Sequence, residues 1–286
     1  MQEDLLRPAL YVVATPIGNL GDITARALEV LRAVDLVAAE DTRVTGRLLA
    51  HFGIDKPLLA LHRHNERHAV QRVLALLEQG RAVALAADAG TPGVSDPGAM
   101  LVQAARSHAV AVVPIPGPSA LAAAWSVSGF SGPFLFQGFL PARAAERRKA
   151  LAALADLPCA LVFYEAPHRI LDTARDLAGV LGESRQAIVA RELTKVFETV
   201  HGCALGELAP WIESDANRQR GEIVLIVSGA VQVVPQDAAA KEALRVLLEE
   251  LAPAKAARLA ARIAGVPRGP LYPLAVELRG KHDRPD

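Results

Sequence analysis

Cysteine, methionine and aromatic residues are scarce in this chain of 286 residues, and neither sign of charge is in excess. Its two cysteines, Cys159 and Cys203, stand far apart and outside any metal-ligand spacing. That excludes a disulfide framework and a thiolate metal centre, suits a reducing compartment, and makes each thiol an expected small buried apolar group. The 31 Lys and Arg are balanced by 31 Asp and Glu, which argues against a general polyanion binder while leaving room for a local basic patch. No apolar run reaches the roughly 18 residues that a membrane span needs. The opening MQEDLLRPALYVVATP lacks a basic start and an apolar leader, so no signal peptide is expected and the location expected is cytoplasmic. Two nucleotide fingerprints are also missing: there is no G-x-x-x-x-G-K-[S/T] and no G-x-G-x-x-G behind a strand. Walker-type triphosphate sites and the standard dinucleotide fold are therefore disfavoured.

What is present is an alternation of two periods. Short apolar runs (ALYVVAT, DLVAAE, PLLAL, AVALAAD, VAVVPIPG) alternate with stretches of helical spacing. Asp22 is the expected cap of the first helix and Asp41 a candidate cap of the second. Strand, helix, strand at this spacing predicts a mostly parallel α/β sheet covered on both faces. The rhythm breaks at FSGPFLFQGFLPARAAERRKA, where Phe134, Phe136 and Phe139, three of the seven phenylalanines, fall together; this is read as a crossing between two α/β domains, 1–130 and 131–230. CALVFYEAPHR, QAIVARELTKVFETVHG and GEIVLIVSG supply strand-like runs for the second domain. A linker at 231–240 leads to a helical appendage at 241–286, with two helices joined at Ala252-Pro253. That tail holds nine Lys/Arg against six Asp/Glu and reads either as a plain appendage or as a helix-turn-helix-like module that touches nucleic acid.

Four loops carrying Pro, three of them with Gly as well, follow the C-terminal ends of expected parallel strands: TPIGNLGD, DAGTPGVSDPG, PIPGPSA and YEAPHR. In an open α/β sheet that edge is where loops converge on a ligand. Their polar groups, Asp88, Thr91 and Ser119 among them, suit a ligand with a ribose, an adenine and a zwitterionic tail. In LHRHNERH, His64 and His68 share a helical spacing, but the order is not that of a zinc motif and no metal is expected. Glu40, Asp41 and Arg43 follow a strand directly and serve either as a cap with a surface ion pair or as cleft-lining groups. The basic run Arg143–Lys149 is a solvated helix face or, near a cleft, a phosphate contact. RELTKVFET alternates charged and apolar residues as on a strand, leaving Arg191, Glu192 and Lys195 as cross-strand pairs or cleft-facing groups.

Taken in order, LYVVATPIGNLGDIT, AEDTR, HRHNE, DAGTPGVSDPG, PGPSA, FYEAPHR, RELTK and GEIVLIVSG resemble the small-subunit ribosomal RNA methyltransferase I proteins, members of the tetrapyrrole-methylase-like superfamily. The likeness runs from about Leu10 to Gly229, and the tail after Lys241 is similar to that family's helix-turn-helix appendage. It implies the two-domain tetrapyrrole-methylase-like α/β fold with mostly parallel sheets, S-adenosylmethionine as cofactor, and methylation of a ribose 2′-hydroxyl of a cytidine in 16S ribosomal RNA of the 30S subunit, near the decoding centre. A homodimer is implied as well. Cofactor contacts carried over on this resemblance are Asp88, Gly90, Thr91, Pro92 and Val94, then Ser119 and Ala120, with Tyr164, Ala166, Pro16 and Gly18 as weaker transfers.

An in-line methyl transfer gains from alignment and from a base that takes the hydroxyl proton. Candidates for the base are Glu40, Asp41, Glu66 and Glu192, with Lys195 or Arg43 to steady phosphate or shift a neighbour's pKa; the residues alone do not choose among them. One departure stands out: macrocycle methylases of the superfamily generally carry G-D-P where this chain has Gly90-Thr91-Pro92. The readings that compete are a porphyrinoid or small-molecule methylase on the same fold and a non-catalytic ribosome-associated binding protein.

Overall fold

The computed structural model describes residues 7–62, 65–230 and 235–282. They resolve into two compact units that meet in sequence at Gly229 and Ala230. Arg63 and His64 of the HRHNE stretch lie outside the described residues, as do the first six, 231–234 and 283–286.

The first unit holds two five-stranded sheets. The first is built from β1 (Leu10–Val13), β2 (Leu36–Ala39), β3 (Leu58–Ala60), β4 (Val83–Ala86) and β5 (Val112–Ile115), in the order β3-β2-β4-β1-β5. Every pairing in it is parallel. Its strands alternate in a way that explains two cores. Tyr11, Val13, Ala84 and Ala86 face α1 (Ala25–Ala33) and α2 (Thr42–His51), while Leu10, Val83 and Leu85 face α3 (Glu66–Glu78) and α4 (Ala99–Ser107). A period of two on the strands, with both faces covered by period-3.6 helices, is the physical content of the α/β pattern.

The second sheet departs from the expected parallel arrangement. Its strands are β6 (Phe134–Phe139), β7 (Ala160–Glu165), β8 (Gln186–Arg191), β9 (Thr199–Ala204) and β10 (Ile223–Val227), in the order β6-β7-β10-β8-β9. Only β6 and β7 run parallel; β10 is antiparallel to β7 and β8, and β8 and β9 form a hairpin. A short turn can join only antiparallel neighbours, and the β-branched runs say nothing about direction. One face of this sheet, with Leu161, Phe163, Val189 and Leu225, packs against α6 (Ala144–Ala152), α7 (Ile170–Leu181) and α8 (Leu205–Glu213). The other face, with Val162, Ala190, Val224 and Ile226, is covered from the first half of the chain by α5 (Ala120–Val127) and Ile17.

Further local expectations are corrected. Asp22 ends a 3-10 turn, and the cap of α1 is Thr24, whose hydroxyl accepts from Ala27 N at 3.1 Å. The aromatic crossing segment contains a strand, β6. RELTKVFET is not one strand: β8 stops at Arg191, and Glu192 and Thr194 have φ of 52° and 67°, a left-handed conformation that the residue pattern does not announce. Both cysteines are only partly buried.

The second unit is three helices: α9 (Pro235–Glu250), α10 (Pro253–Ala264) and α11 (Leu271–His282). The first starts inside the stretch read as linker, and the third was not foreseen. Ala256, Ala257, Ala260 and Ala261 of α10 are buried against Ala240, Leu244, Leu271 and Ala275. Lys255, Arg258 and Arg262 lie on its opposite, exposed side. Among the described residues no helix is long and apolar enough to cross a membrane.

Phe163 is fully buried in the second sheet's larger core. Phe163→Ala should cost the first unit about 3–5 kcal/mol, read as a lowered denaturation midpoint in urea by tryptophan fluorescence.

Candidate active site in the cleft

The neighbouring strands β4, β1 and β5 end side by side, so the loops that follow them are stitched together. Thr15 and Gly90 exchange backbone hydrogen bonds, each 2.9 Å long, and the buried Thr15 hydroxyl donates to Ala87 O at 3.0 Å. The Thr91 hydroxyl donates to Pro118 O at 3.1 Å. Gly90 has φ +78°, and a Cβ there would stand 3.4 Å from Ile17 Cγ2; only glycine takes that conformation without strain. Ser95, a non-glycine at φ 73°, sits on the same loop.

These loops face the ends of β6, β7 and β8 and the start of β10 across a cleft of about 430 Å³. Of the residues singled out from sequence, Glu40, Asp88, Gly90, Thr91, Val94, Ser119, Ala120, Tyr164 and Ala166 line it. Asp88 is anchored, its Oδ1 accepting from Asp41 N at 2.9 Å. The Tyr164 hydroxyl accepts from Leu121 N at 3.2 Å, and burial raises its pKa, so it keeps its proton. Ser119 caps α5.

The remaining candidates stand elsewhere. Pro92 lines a separate groove with α4, and Pro16 and Gly18 are not among the cleft's lining residues. Asp41 caps α2 and is paired with the exposed Arg43; hydrogen bonds from that guanidinium and from the Arg43 amide hold its carboxyl well below the usual range. Glu66 accepts from Gly98 N at 3.1 Å and fixes the start of α4. Lys195 donates to Glu192 at 2.8 Å and Glu222 at 3.1 Å, and its stem lies on Gly18, where a Cβ would be 2.5 Å from Lys195 Cγ. Asn19 N donates to the Thr194 hydroxyl at 3.1 Å, so this turn latches the first loop to the second sheet. In the basic run, Arg147 is buried and bonded to Asp176 at 2.6 Å, with Arg148 on the same carboxylate at 3.2 Å.

Lining residues that sequence reasoning missed include Ile17, Leu193, Val224, Phe139, Glu165 and Glu222. Ser95 and Asp96, from the DAGTPGVSDPG loop, line the cleft too. Glu165 is buried and satisfied, accepting from Ala166 N at 2.7 Å, Thr173 Oγ1 at 2.6 Å and Arg169; it shapes the turn after β7. The clustered phenylalanines were the available signal for Phe139. Among the described residues no group of His, Cys, Asp and Glu is placed to hold a metal ion.

Residues 9–209 match the model of the Tetrapyrrole (Corrin/Porphyrin) Methylases, and 234–279 match the RsmI C-terminal HTH domain. Ribosomal RNA small subunit methyltransferase I of Escherichia coli O157:H7 is 52% identical over 273 residues, covering 95% of this chain and 96% of that protein. The Pseudomonas aeruginosa protein of the same name is 52% identical over 276 residues, covering 95% and 98%. The chain belongs to the ribosomal RNA small subunit methyltransferase I family. Solved structures agree on the fold alone. A uroporphyrin-III C-methyl transferase from Thermus thermophilus complexed with S-adenyl homocysteine superposes with a TM-score of 0.55 at 18% identity, covering 77% of this chain and 97% of that one. A cobalt precorrin-4 methyltransferase of cobalamin biosynthesis gives 0.56 at 16%, covering 78% and 95%.

The latch has a pH signature. Burial works against the Glu192 charge, but hydrogen bonds from Lys195 and Glu222 N outweigh it and lower the pKa. A lowered carboxylate contributes stability that is present above its unfolded pKa and lost as pH falls through the folded value. With Lys195→Met, Glu192 should titrate higher than in the native chain and this acid-side loss should shrink, as followed by carboxyl-carbon NMR and by stability against pH.

Proposed function

We propose that this chain transfers a methyl group from S-adenosylmethionine to the ribose 2′-hydroxyl of a cytidine in 16S ribosomal RNA of the 30S subunit, near the decoding centre. The observation that carries the reading is the convergence of the 88–96 loop, Ser119-Ala120 and Tyr164–Ala166 on one cleft, in a chain 52% identical to a named family member over nearly its whole length. In this reading residues 1–130 and 131–230 are the cleft's two walls and 241–286 the RNA-contacting appendage.

The residues present fit such a cofactor. The volume lies in the roughly 300–1,000 Å³ range of small-molecule sites. Acidic Asp88 and the Thr91 hydroxyl stand on one side to receive ribose hydroxyls or a cationic tail, and Ile17, Leu193 and Val224 give apolar wall for a purine. S-adenosylmethionine supplies, when bound, a methyl group on a sulfonium that leaves readily. The stitched loops hold that geometry fixed, which is where most of the gain in an in-line displacement arises. Of the four carboxylates considered as base, Glu40 is the one that lines the cleft; Asp41, Glu66 and Glu192 are not among its lining residues. Glu40 is assigned to accept the hydroxyl proton. The exposed Lys255, Arg258 and Arg262 are assigned to RNA phosphates. A homodimer, located in the cytoplasm, belongs to the same reading, and light scattering of the purified chain tests the dimer.

Labelled methyl from S-adenosylmethionine should enter a ribose of 30S subunits that lack the modification, and not a porphyrinogen; label only in the porphyrinogen would sink the acceptor assignment. Glu40→Gln should lower kcat by about 10²–10⁴-fold while S-adenosylhomocysteine still binds. Neutralising Lys255, Arg258 and Arg262 together to Gln should flatten the log–log salt dependence of 16S RNA binding by about two to three units, at roughly 0.7–0.9 per phosphate contact.

A further inference from the structure

We infer that Phe139 is the platform on which the base of the target nucleotide stacks, and that an irregularity in β6 exists to place it there. The inference rests on the reading that an RNA ribose is the acceptor. In an unbroken strand, side chains alternate, so Phe139 would share a face with Leu135, which packs on the core of α6, α7 and α8. It does not. Phe136 stands opposite Val162, but Gly138 stands opposite Phe163 and Phe139 opposite Tyr164. One extra residue has been inserted between Phe136 and Gly138, and everything after it has changed face. A bulge of this kind re-aims a side chain, and bulges gather beside functional sites.

The backbone is specialised for the turn. Gly138 has φ +71°, and a Cβ on it would meet Ser95 Oγ at 2.9 Å, so the bulge is fitted against the cleft loop that carries its own positive φ at Ser95. The result is a ring on the cleft's lining. It stands 5.7 Å from the Tyr164 ring at 68°, with Phe136 on that same tyrosine at 4.8 Å. Phe139 is nonetheless 56% exposed, although the regular register would have turned it toward the core. An aromatic ring left open at the rim of a cleft, braced at its edge by a second ring, has the chemistry of a stacking surface for an unpaired base. A ribose hydroxyl can enter the cleft only if its nucleotide is splayed from its neighbours, and stacking offsets that cost without regard to base identity. The wall therefore holds the nucleotide while sequence choice lies elsewhere.

The test uses the full chain, S-adenosylmethionine and 30S subunits lacking the modification. Phe139→Leu keeps an apolar side chain and removes the π face; Phe139→Tyr keeps the face. The leucine variant should raise the KM for subunits about 10- to 100-fold, the tyrosine variant should keep the native KM, and both should bind S-adenosylhomocysteine with native affinity by calorimetry, which also reports that they fold. A native KM in Phe139→Leu overturns the inference. So does a loss of S-adenosylhomocysteine affinity in step with activity, which puts the ring on the cofactor. If the native chain methylates no subunit RNA, the acceptor reading fails first and takes this inference with it.

Discussion

The cleft depends on how one sheet face is covered. Val162, Ala190, Val224 and Ile226 make the inner face of the second sheet apolar, and α5 and Ile17 from the first half of the chain cover it. Each fully buried valine or isoleucine of this kind is worth about 1.5–3 kcal/mol relative to exposure, so the two sheets cannot part without exposing that face. The alanine-rich sequence of α5, with Ala124 fully buried, lets the helix come close. Once α5 is seated, the C-terminal ends of β4, β1 and β5 must face the ends of β6, β7 and β8. What remains between them is the cleft.

Around this joint several carboxylates hold the structure itself together. Asp41, Glu66, Glu165 and Glu192 look alike on paper, yet each is spent on a cap, a helix start, a turn or a latch. A buried carboxylate left without partners is costly, and Glu165 shows the remedy, with Thr173, Arg169 and a backbone amide all donating to it. The strained Glu192 and Thr194 are likewise over-determined by Lys195, Glu222 N and Glu198. Strain of this sort persists where surroundings enforce it, commonly beside functional sites.

Neutral overall charge is compatible with an RNA acceptor because charge acts locally. The Debye length is about 8 Å at physiological salt, so the exposed cations of α10 act on whatever lies within one helix turn or two, largely unaffected by the balance elsewhere. With Lys255, Arg258 and Arg262 on one face and four alanines on the other, that helix joins core and charge in twelve residues.

The sequence by itself determined the elements of the first sheet and the loops that matter. Hydrophobic periodicity is local, and glycine and proline mark turns wherever they stand, so DAGTPGVSDPG and PIPGPSA were legible as loops of one sheet edge, and residues of both line the cleft. The eight ordered motifs likewise carried the family. Direction, register and pairing were not local. Whether β10 lies between β7 and β8, whether RELTK is strand or turn, and which way Phe139 points depend on which strand lies alongside, and a single inserted residue reverses the answer. The same holds for the carboxylates: partner and burial choose between a structural and a chemical role, and burial, like the Gly98 amide 32 positions from Glu66, is set by the fold. Only the tertiary structure decided those, because a side chain's energy depends on what it touches.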